Sequence, residues 1–126
     1  MSILKKLTSF LQPAPRAKPA EHGSRVRSGE VLLVDVREPD EWAGGVAERA
    51  VLLPLSELRA GGGRWQEFLA AAGTREVLLY CASGMRSGLA ARQLRAAGVR
   101  AINAGGLGDW AAAGWPVEVR PDVTQR

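Results

Sequence analysis

The fold is decided by the stretch Glu76-Val77-Leu78-Leu79-Tyr80-Cys81-Ala82-Ser83-Gly84-Met85-Arg86-Ser87. Residues 76–80 hold a continuous apolar run bounded by turn residues, which predicts a short strand buried within a sheet. Residues 87–97 follow a helical period and predict an amphipathic helix, whose apolar face holds Leu89, Ala90, Leu94 and Ala97. The only cysteine of the chain therefore lies where a buried strand turns into a helix.

The alternation of strand and helix continues on both sides of this stretch. The predicted strands lie at residues 30–36, 50–55, 76–80 and 99–103. The predicted helices lie at residues 38–42, 64–72, 87–97 and 107–113, with one more helix whose N-cap is Ser56. Strands that alternate with helices predict an α/β fold, a parallel sheet with helices on both faces.

Polar or reactive residues follow three of the predicted strands at their carboxyl ends. Cys81 follows one strand, Asp35 and Arg37 another, and the segment 103–105 (Asn-Ala-Gly) the last. Ligands of open parallel sheets bind beyond the carboxyl ends of the strands. We therefore expect these residues to gather at one edge of the sheet.

The composition is that of an ordinary single domain. The chain has 126 residues, of which 46% are hydrophobic and 24% charged, and this length is enough to bury a core. A single cysteine excludes an intramolecular disulfide. No apolar run approaches the roughly 20 residues of a membrane span, and residues 1–13 make a poor secretory signal. A cytoplasmic location is expected.

The N-terminal region has its own character. Ile3, Leu4, Leu7, Phe10 and Leu11 share one face of a predicted amphipathic helix, and residues 13–20 predict a Pro/Ala/basic linker. The expected organisation is a segment over residues 1–20, a domain over 21–120 and a tail over 121–126. Packing on its own domain or in a homodimer is the favoured role of the helix, ahead of membrane contact or binding in a partner groove.

The net charge of +4 resides in the first 30 residues, which hold six basic and two acidic side chains. The rest of the chain is formally neutral. No aromatic residues alternate with these basic residues, so a solvated tail is favoured over nucleic-acid binding.

Cys81 admits several chemistries. A zinc site needs about four ligands, and the chain offers only Cys81 and His22, so no metal is expected. A cysteine–histidine dyad is disfavoured because His22 lies in a polar segment before the first strand, where solvent exposure is expected. An inert buried cysteine is the commonest alternative, and the loop that follows Cys81 argues against it.

The small residues Ala82, Ser83 and Gly84 let the backbone curl so that successive amides point inward and bind an anion. Together with the N-terminus of the following helix, these amides favour a thiolate and lower its pKa. Arg86 adds a permanent cation that can hold an anionic group with two hydrogen bonds. Ser87 is predicted to cap the helix, and hydrogen bonding to a bound anion is its second candidate role.

Three blocks of the sequence, in order, resemble a single-domain rhodanese. They are residues 33–38 (Leu-Val-Asp-Val-Arg-Glu), the loop 81–87, and residues 103–117, which begin Asn-Ala-Gly-Gly-Leu and end Gly-Trp-Pro-Val. The resemblance covers residues 28–119. It implies the rhodanese-like three-layer fold and a sulfurtransferase that needs no cofactor.

The resemblance also implies the mechanism and its residues. Cys81 would take a sulfane sulfur from thiosulfate or a related donor, hold it as a persulfide, and pass it to a thiophilic acceptor. The partners would be a small sulfur-containing anion and a thiol, with a protein acceptor as a further candidate. The expected substrate-binding loop is Ala82, Ser83, Gly84, Met85, Arg86 and Ser87. Asp35 and Arg37 are interpreted as structural support of this loop.

Two alternatives stay open. The domain is a carrier module if a partner protein loads its persulfide and the basic N-terminal helix docks that partner. A cysteine-dependent phosphatase or arsenate reductase is less favoured. Phosphatases of related layout place five residues between the cysteine and the arginine, whereas four separate Cys81 from Arg86 here, and a tighter loop suits a sulfur atom.

The chain departs from the rhodanese pattern in two places. Residues 45–50 read Gly-Val-Ala-Glu-Arg-Ala, where many members have Gly-His-Ile-Pro-Gly-Ala. The first strand and helix of the family are hard to locate before residue 30, so we expect a sheet edge that is reduced or built by the N-terminal segment. The four tryptophans are interpreted as packing residues and Asp109 as solvated or capping.

Overall fold

The computed structural model describes residues 16–121 and has the predicted α/β architecture. The helices are α1 (Pro19–Ser28), α2 (Pro39–Trp42), α3 (Leu55–Arg59), α4 (Gly63–Ala72), α5 (Met85–Ala96) and α6 (Leu107–Ala112). The strands are β1 (Val31–Asp35), β2 (Val46–Ala47), β3 (Val51–Leu52), β4 (Glu76–Cys81), β5 (Ala101–Gly106) and β6 (Val117–Glu118).

Four strands form a parallel sheet in the order β3-β1-β4-β5. The central strands β1 and β4 are apolar on both faces because helices cover both faces. On one face Val77, Leu79 and Cys81 join a core that includes residues of α3, α4 and α5. On the other face Leu78 and Tyr80 join a core that includes residues of α1 and α6. The expectation of three layers is confirmed.

The edge of the sheet beside β5 is flanked by the N-terminal part of the described chain. The amide of Ala17 donates to the carbonyl of Asn103 at 2.9 Å, and Ala17 is buried. Helix α1 follows at Pro19, and the predicted domain boundary at residue 21 stays a prediction. The predicted amphipathic helix, residues 13–15 of the linker, and residues 122–126 of the tail lie outside the described residues.

Some local predictions are wrong. Helix α5 begins at Met85 rather than at Ser87, because Gly84 already turns the chain and forms the N-cap. Leu89 and Ala97 are exposed, because the face of α5 that packs on the sheet is narrow and is formed mainly by small side chains. The N-cap of α3 is Pro54 rather than Ser56, whose hydroxyl donates to Glu38 at 2.6 Å.

The tryptophans pack as predicted. Trp42, Trp65, Trp110 and Trp115 are all buried. The indole N–H of Trp110 donates to the carbonyl of Ala104 at 2.8 Å. Asp109 caps α6, because its Oδ2 accepts the amide of Gly106 at 3.0 Å.

Residues 45–50, where the chain departs from the rhodanese pattern, are held by hydrogen bonds from other elements. Arg37 donates to the carbonyl of Gly45 at 2.6 Å, and the amide of Ala47 donates to the Tyr80 hydroxyl at 2.9 Å. The amide of Glu48 donates to the carbonyl of Pro116 at 2.9 Å. Arg49 stands at the position of the second glycine of the usual motif and has a left-handed backbone with φ of 75°.

Candidate active site

Cys81 ends β4 at the centre of the sheet, and its sulfur receives hydrogen bonds from the loop that follows. The amide of Gly84 lies 3.0 Å from Sγ. The amide and the hydroxyl of Ser87 lie 3.5 and 3.4 Å from it. The residue has no exposed surface and packs with the apolar core on its face of the sheet, while its sulfur receives these hydrogen bonds from the loop. The sulfur is therefore set up as a hydrogen-bond acceptor.

The same contacts decide the ionisation of Cys81. Burial, the largest influence, raises the pKa of the thiol. The hydroxyl and amide of Ser87 and the amides of Gly84 and Ser83 act against burial, because they donate to the thiolate and stabilise it. Their sum prevails and the pKa of Cys81 lies below its ordinary value. The thiolate is the nucleophilic form of cysteine.

Gly84 gives the loop its curvature. Its φ is 99°, a left-handed conformation that a residue with a side chain adopts only at a cost. This turn makes Gly84 the N-cap of α5 and directs its amide at Cys81. Ala82 and Ser83 are exposed, and Met85 is 76% exposed. The side chain of Met85 therefore points away from the sulfur.

Ser87 lies in the first turn of α5 and does not cap it, which corrects the favoured prediction. Its hydroxyl lies between the sulfur of Cys81 and Asn103, 2.7 Å from Asn103 Oδ1. Asn103 also accepts the amide of Gly105 at 2.9 Å and donates to the carbonyl of Gly84 at 2.9 Å. The asparagine thus ties the end of β5 to the cysteine loop. Sequence reasoning placed residues 103–105 at this edge but assigned Asn103 no role.

Arg86 is engaged by a residue that sequence reasoning missed. Its guanidinium donates to the two carboxylate oxygens of Glu41, at 2.5 and 2.9 Å. This hydrogen bond from Arg86 is the main reason why the pKa of Glu41 falls to about 2. Glu41 lies in α2, which follows the carboxyl end of β1, and its Oε1 also accepts the amide of Glu38 at 3.0 Å. Arg86 is thus paired with Glu41, and it also interacts with the Cys81 sulfur; both interactions raise the pKa of Arg86. Binding of a substrate anion by Arg86 stays a prediction.

Asp35 and Arg37 are buried and bind each other. The Asp35 carboxylate accepts the backbone amide, Nε and Nη2 of Arg37 at 2.9–3.1 Å. Arg37 also donates to the carbonyls of Glu41 and Gly45, and burial and Asp35 raise the pKa of Tyr80. These bonds fix the end of β1 against α2 and residues 45–47. They connect to the cysteine loop through Glu41, which binds Arg86, and through Tyr80, the residue before Cys81, whose hydroxyl contacts Asp35.

Other candidate groups lie elsewhere. His22 lies on α1, where its ring contacts the backbone of Lys18. Between residues 16 and 121, no three His, Cys, Asp or Glu side chains are grouped so that they could hold a metal ion. In the same part of the chain, no helix has the length and apolar character to cross a bilayer.

A parallel sheet between two helical layers, with a loop after a central strand whose amides point at a cysteine sulfur, defines a class of α/β domains. A family model described as Rhodanese-like domain matches residues 18–113. The chain belongs to this family.

Similar proteins agree with this membership. Over 88 residues the chain is 46% identical to an uncharacterized protein, slr1261, of Synechocystis; the match covers 68% of this chain and 46% of that protein. The chain thus spans about half the length of that relative. Over 90 residues it is 38% identical to a protein named sulfurtransferase of Allochromatium vinosum; the match covers 70% of this chain and 78% of that protein.

Among solved structures, the fold is similar to that of a human single-domain sulfurtransferase, TSTD1. The TM-score is 0.61 and the sequence identity is 26%. The match covers 79% of this chain and 97% of that one. The rhodanese-like fold predicted from the sequence is confirmed.

Proposed function

We propose that the protein is a sulfurtransferase that takes a sulfane sulfur from thiosulfate or a related donor and holds it as a Cys81 persulfide. The observation that supports this most directly is the set of donors on Sγ. The Gly84 amide and the amide and hydroxyl of Ser87 all aim at one sulfur atom. They stabilise the attacking thiolate and afterwards the charged persulfide.

The proposed transfer has two steps. The Cys81 thiolate attacks the outer sulfur of thiosulfate, a new S–S bond forms, and the S–S bond of thiosulfate breaks. Its electron pair leaves with sulfite. A thiophilic acceptor, cyanide in an assay, then attacks the terminal sulfur, and Cys81 returns as the thiolate while thiocyanate leaves. No proton, metal or external oxidant is required in either step.

The size of the loop supports sulfur rather than phosphate as the transferred group. Four residues separate Cys81 from Arg86, and the amides of Gly84 and Ser87 converge on the sulfur itself. A phosphoryl group needs donors that surround three equatorial oxygens, together with an unpaired arginine. Arg86 is held by Glu41. Activity towards phosphate esters is therefore not expected.

A specific observation favours a carrier as the second candidate. Met85 is 76% exposed and Leu89, one turn further along α5, is 42% exposed. The two side chains place exposed apolar surface beside the cysteine loop, where a donor or acceptor protein would have to dock. In this second function the sulfur of the Cys81 persulfide comes from a partner protein and not from thiosulfate.

Intact-mass measurement after incubation with thiosulfate tests the proposal. The expected result is one added sulfur atom on the wild-type chain and none on Cys81→Ser, with thiocyanate produced when cyanide is added. An unchanged wild-type mass would refute the enzyme function. Loading that occurs only when a persulfide-bearing partner protein is present would support the carrier instead. Hydrolysis of p-nitrophenyl phosphate that depends on Cys81 would favour the phosphatase.

A further inference from the structure

A sulfur donor such as thiosulfate brings two negative charges to a thiolate. The two arginines that sequence reasoning placed near the site are both occupied by carboxylates. Arg37 binds Asp35, and Arg86 binds Glu41. Backbone amides supply only partial positive charge. An unpaired cation near the loop would therefore contribute most to holding the donor.

Arg16 meets this need, although it comes from the segment expected to be a linker. A Cβ added to Gly84 would lie 2.7 Å from Arg16 Nη1 and 3.0 Å from Nη2. A Cβ added to Gly105 would lie 3.5 Å from Nη1. The guanidinium therefore lies next to two glycines of the site. It fits there because neither position has a side chain.

The bonds of these glycines connect Arg16 to the reactive sulfur. The amide of Gly84 donates to Sγ of Cys81. The carbonyl of Gly105 lies 3.4 Å from the Ser87 hydroxyl, which in turn contacts the same sulfur. The guanidinium thus lies against two glycines, of which Gly84 contacts the Cys81 sulfur directly and Gly105 contacts it through the Ser87 hydroxyl.

The backbone next to Arg16 is fixed while its side chain is available. Ala17 is buried and donates to the carbonyl of Asn103, so the segment is anchored to β5. Arg16 itself is exposed, and the described residues offer it neither an ion pair nor a hydrogen bond. It borders a cavity of about 360 Å³ that Gly105 and Asp109 also line. The Asp109 carboxylate is engaged by the Gly106 amide.

We infer that Arg16 binds the anionic end of the sulfur donor and selects for negatively charged donors at Cys81. This inference rests on the proposed sulfur transfer, which it deepens by naming the residue that recognises the sulfonate. The planar guanidinium can offer two parallel N–H groups to two sulfonate oxygens. The sulfane sulfur of the same molecule is then directed towards the loop.

Alkylation of Cys81 tests the charge at the site without requiring any sulfur transfer. Iodoacetate is an anion and iodoacetamide is neutral, and Cys81 is the only cysteine of the chain. Arg16→Gln is expected to lower the ratio of the iodoacetate rate to the iodoacetamide rate by roughly three- to tenfold at low salt. Arg92→Gln makes the same charge change on the exposed side of α5 and should leave the ratio unchanged. Equal ratios in the two variants would overturn the inference.

Steady-state kinetics with thiosulfate and cyanide supply the second measurement. Arg16→Gln is expected to raise the KM for thiosulfate roughly three- to tenfold with kcat retained, and Arg16→Lys to recover part of the loss. A KM equal to that of Arg92→Gln would contradict the role of Arg16. If the wild-type chain takes no sulfur from thiosulfate, the proposed function fails, and the alkylation ratio still decides whether Arg16 attracts anions.

Discussion

The hydroxyl of Ser87 is the side-chain group that most strengthens the Cys81 thiolate, so Ser87→Ala tests the electrostatics of the site. The hydroxyl lies 3.4 Å from Sγ, and its bond opposes the effect of burial on the pKa of Cys81. A hydrogen bond to a charged group contributes about 1.5–3 kcal/mol. Because the hydroxyl has one proton and also donates to Asn103 Oδ1 at 2.7 Å, the low end applies, which corresponds to about a tenfold loss of thiolate.

The assay is the rate at which iodoacetamide alkylates Cys81, measured as a function of pH. The folded protein has a lowered thiol pKa, so its thiolate persists to lower pH than that of an ordinary cysteine. Loss of the hydroxyl raises this pKa. The wild-type rate should therefore exceed the Ser87→Ala rate about tenfold at pH values below both pKa values. At pH values above both, the two rates should converge.

Ser83→Ala is the matched control, because the Ser83 hydroxyl accepts the amide of Met85 at 3.5 Å and not a bond from the sulfur. The substitution leaves the backbone amide of Ser83 in place. Its pH profile should coincide with that of the wild type. A Ser87→Ala rate that is reduced by the same factor at every pH would show a change of access rather than of pKa. That result, or identical profiles for the two variants, would refute the reasoning.

Four further substitutions probe the loop, the strained backbone and the ion pair. Gly84→Ala and Gly98→Ala each place a side chain on a residue with a positive φ, 99° and 89°. Each should lower the free energy of unfolding by about 1 kcal/mol. Only Gly84→Ala should also abolish the loading of sulfur, as measured by intact mass. Arg49→Gly relieves a left-handed φ of 75°. It should raise the free energy of unfolding by about 0.5–1 kcal/mol, which is detected as a higher melting temperature. Glu41→Gln removes a carboxylate whose pKa is lowered from 4.5 to about 2, so urea unfolding should show a deficit of about 1 kcal/mol above pH 4.5 that disappears as the pH falls towards 2.

The sheet could be predicted from the sequence because its signal is local. Residues 31–34 of β1 and 77–81 of β4 are all apolar, and only a strand covered on both faces tolerates such a run. The residues at which the helices begin and end are less well predicted. Helix α5 begins two residues early, at Met85, because the turn at Gly84 is set by its contacts with Cys81 and Asn103. These contacts join residues that no local pattern connects.

The face that α5 turns to the sheet is a second case in which local reasoning fails. A helical period assigns Leu89 and Ala97 to the apolar face together with Leu94. The sheet instead accepts the narrow side of Ala90, Ala91 and Leu94. Small side chains allow the helix to approach the strands closely, and Leu89 is left beside the cysteine loop. The sequence period predicts an apolar stripe but does not say which part of the stripe the sheet covers.

The charges at the site depend on topology alone. As residue types, Arg16, Arg37 and Arg86 are equal, and the sequence singles out Arg86 by its place in the loop. The chain then brings α2 next to α5, and Glu41 neutralises Arg86 from 45 residues away. Arg16 reaches Gly84 only because Ala17 is fixed to β5. Contacts between segments that are distant in sequence therefore decide which guanidinium is free to bind an anion. The ratio of the iodoacetate and iodoacetamide rates at Cys81 measures whether Arg16 is that guanidinium.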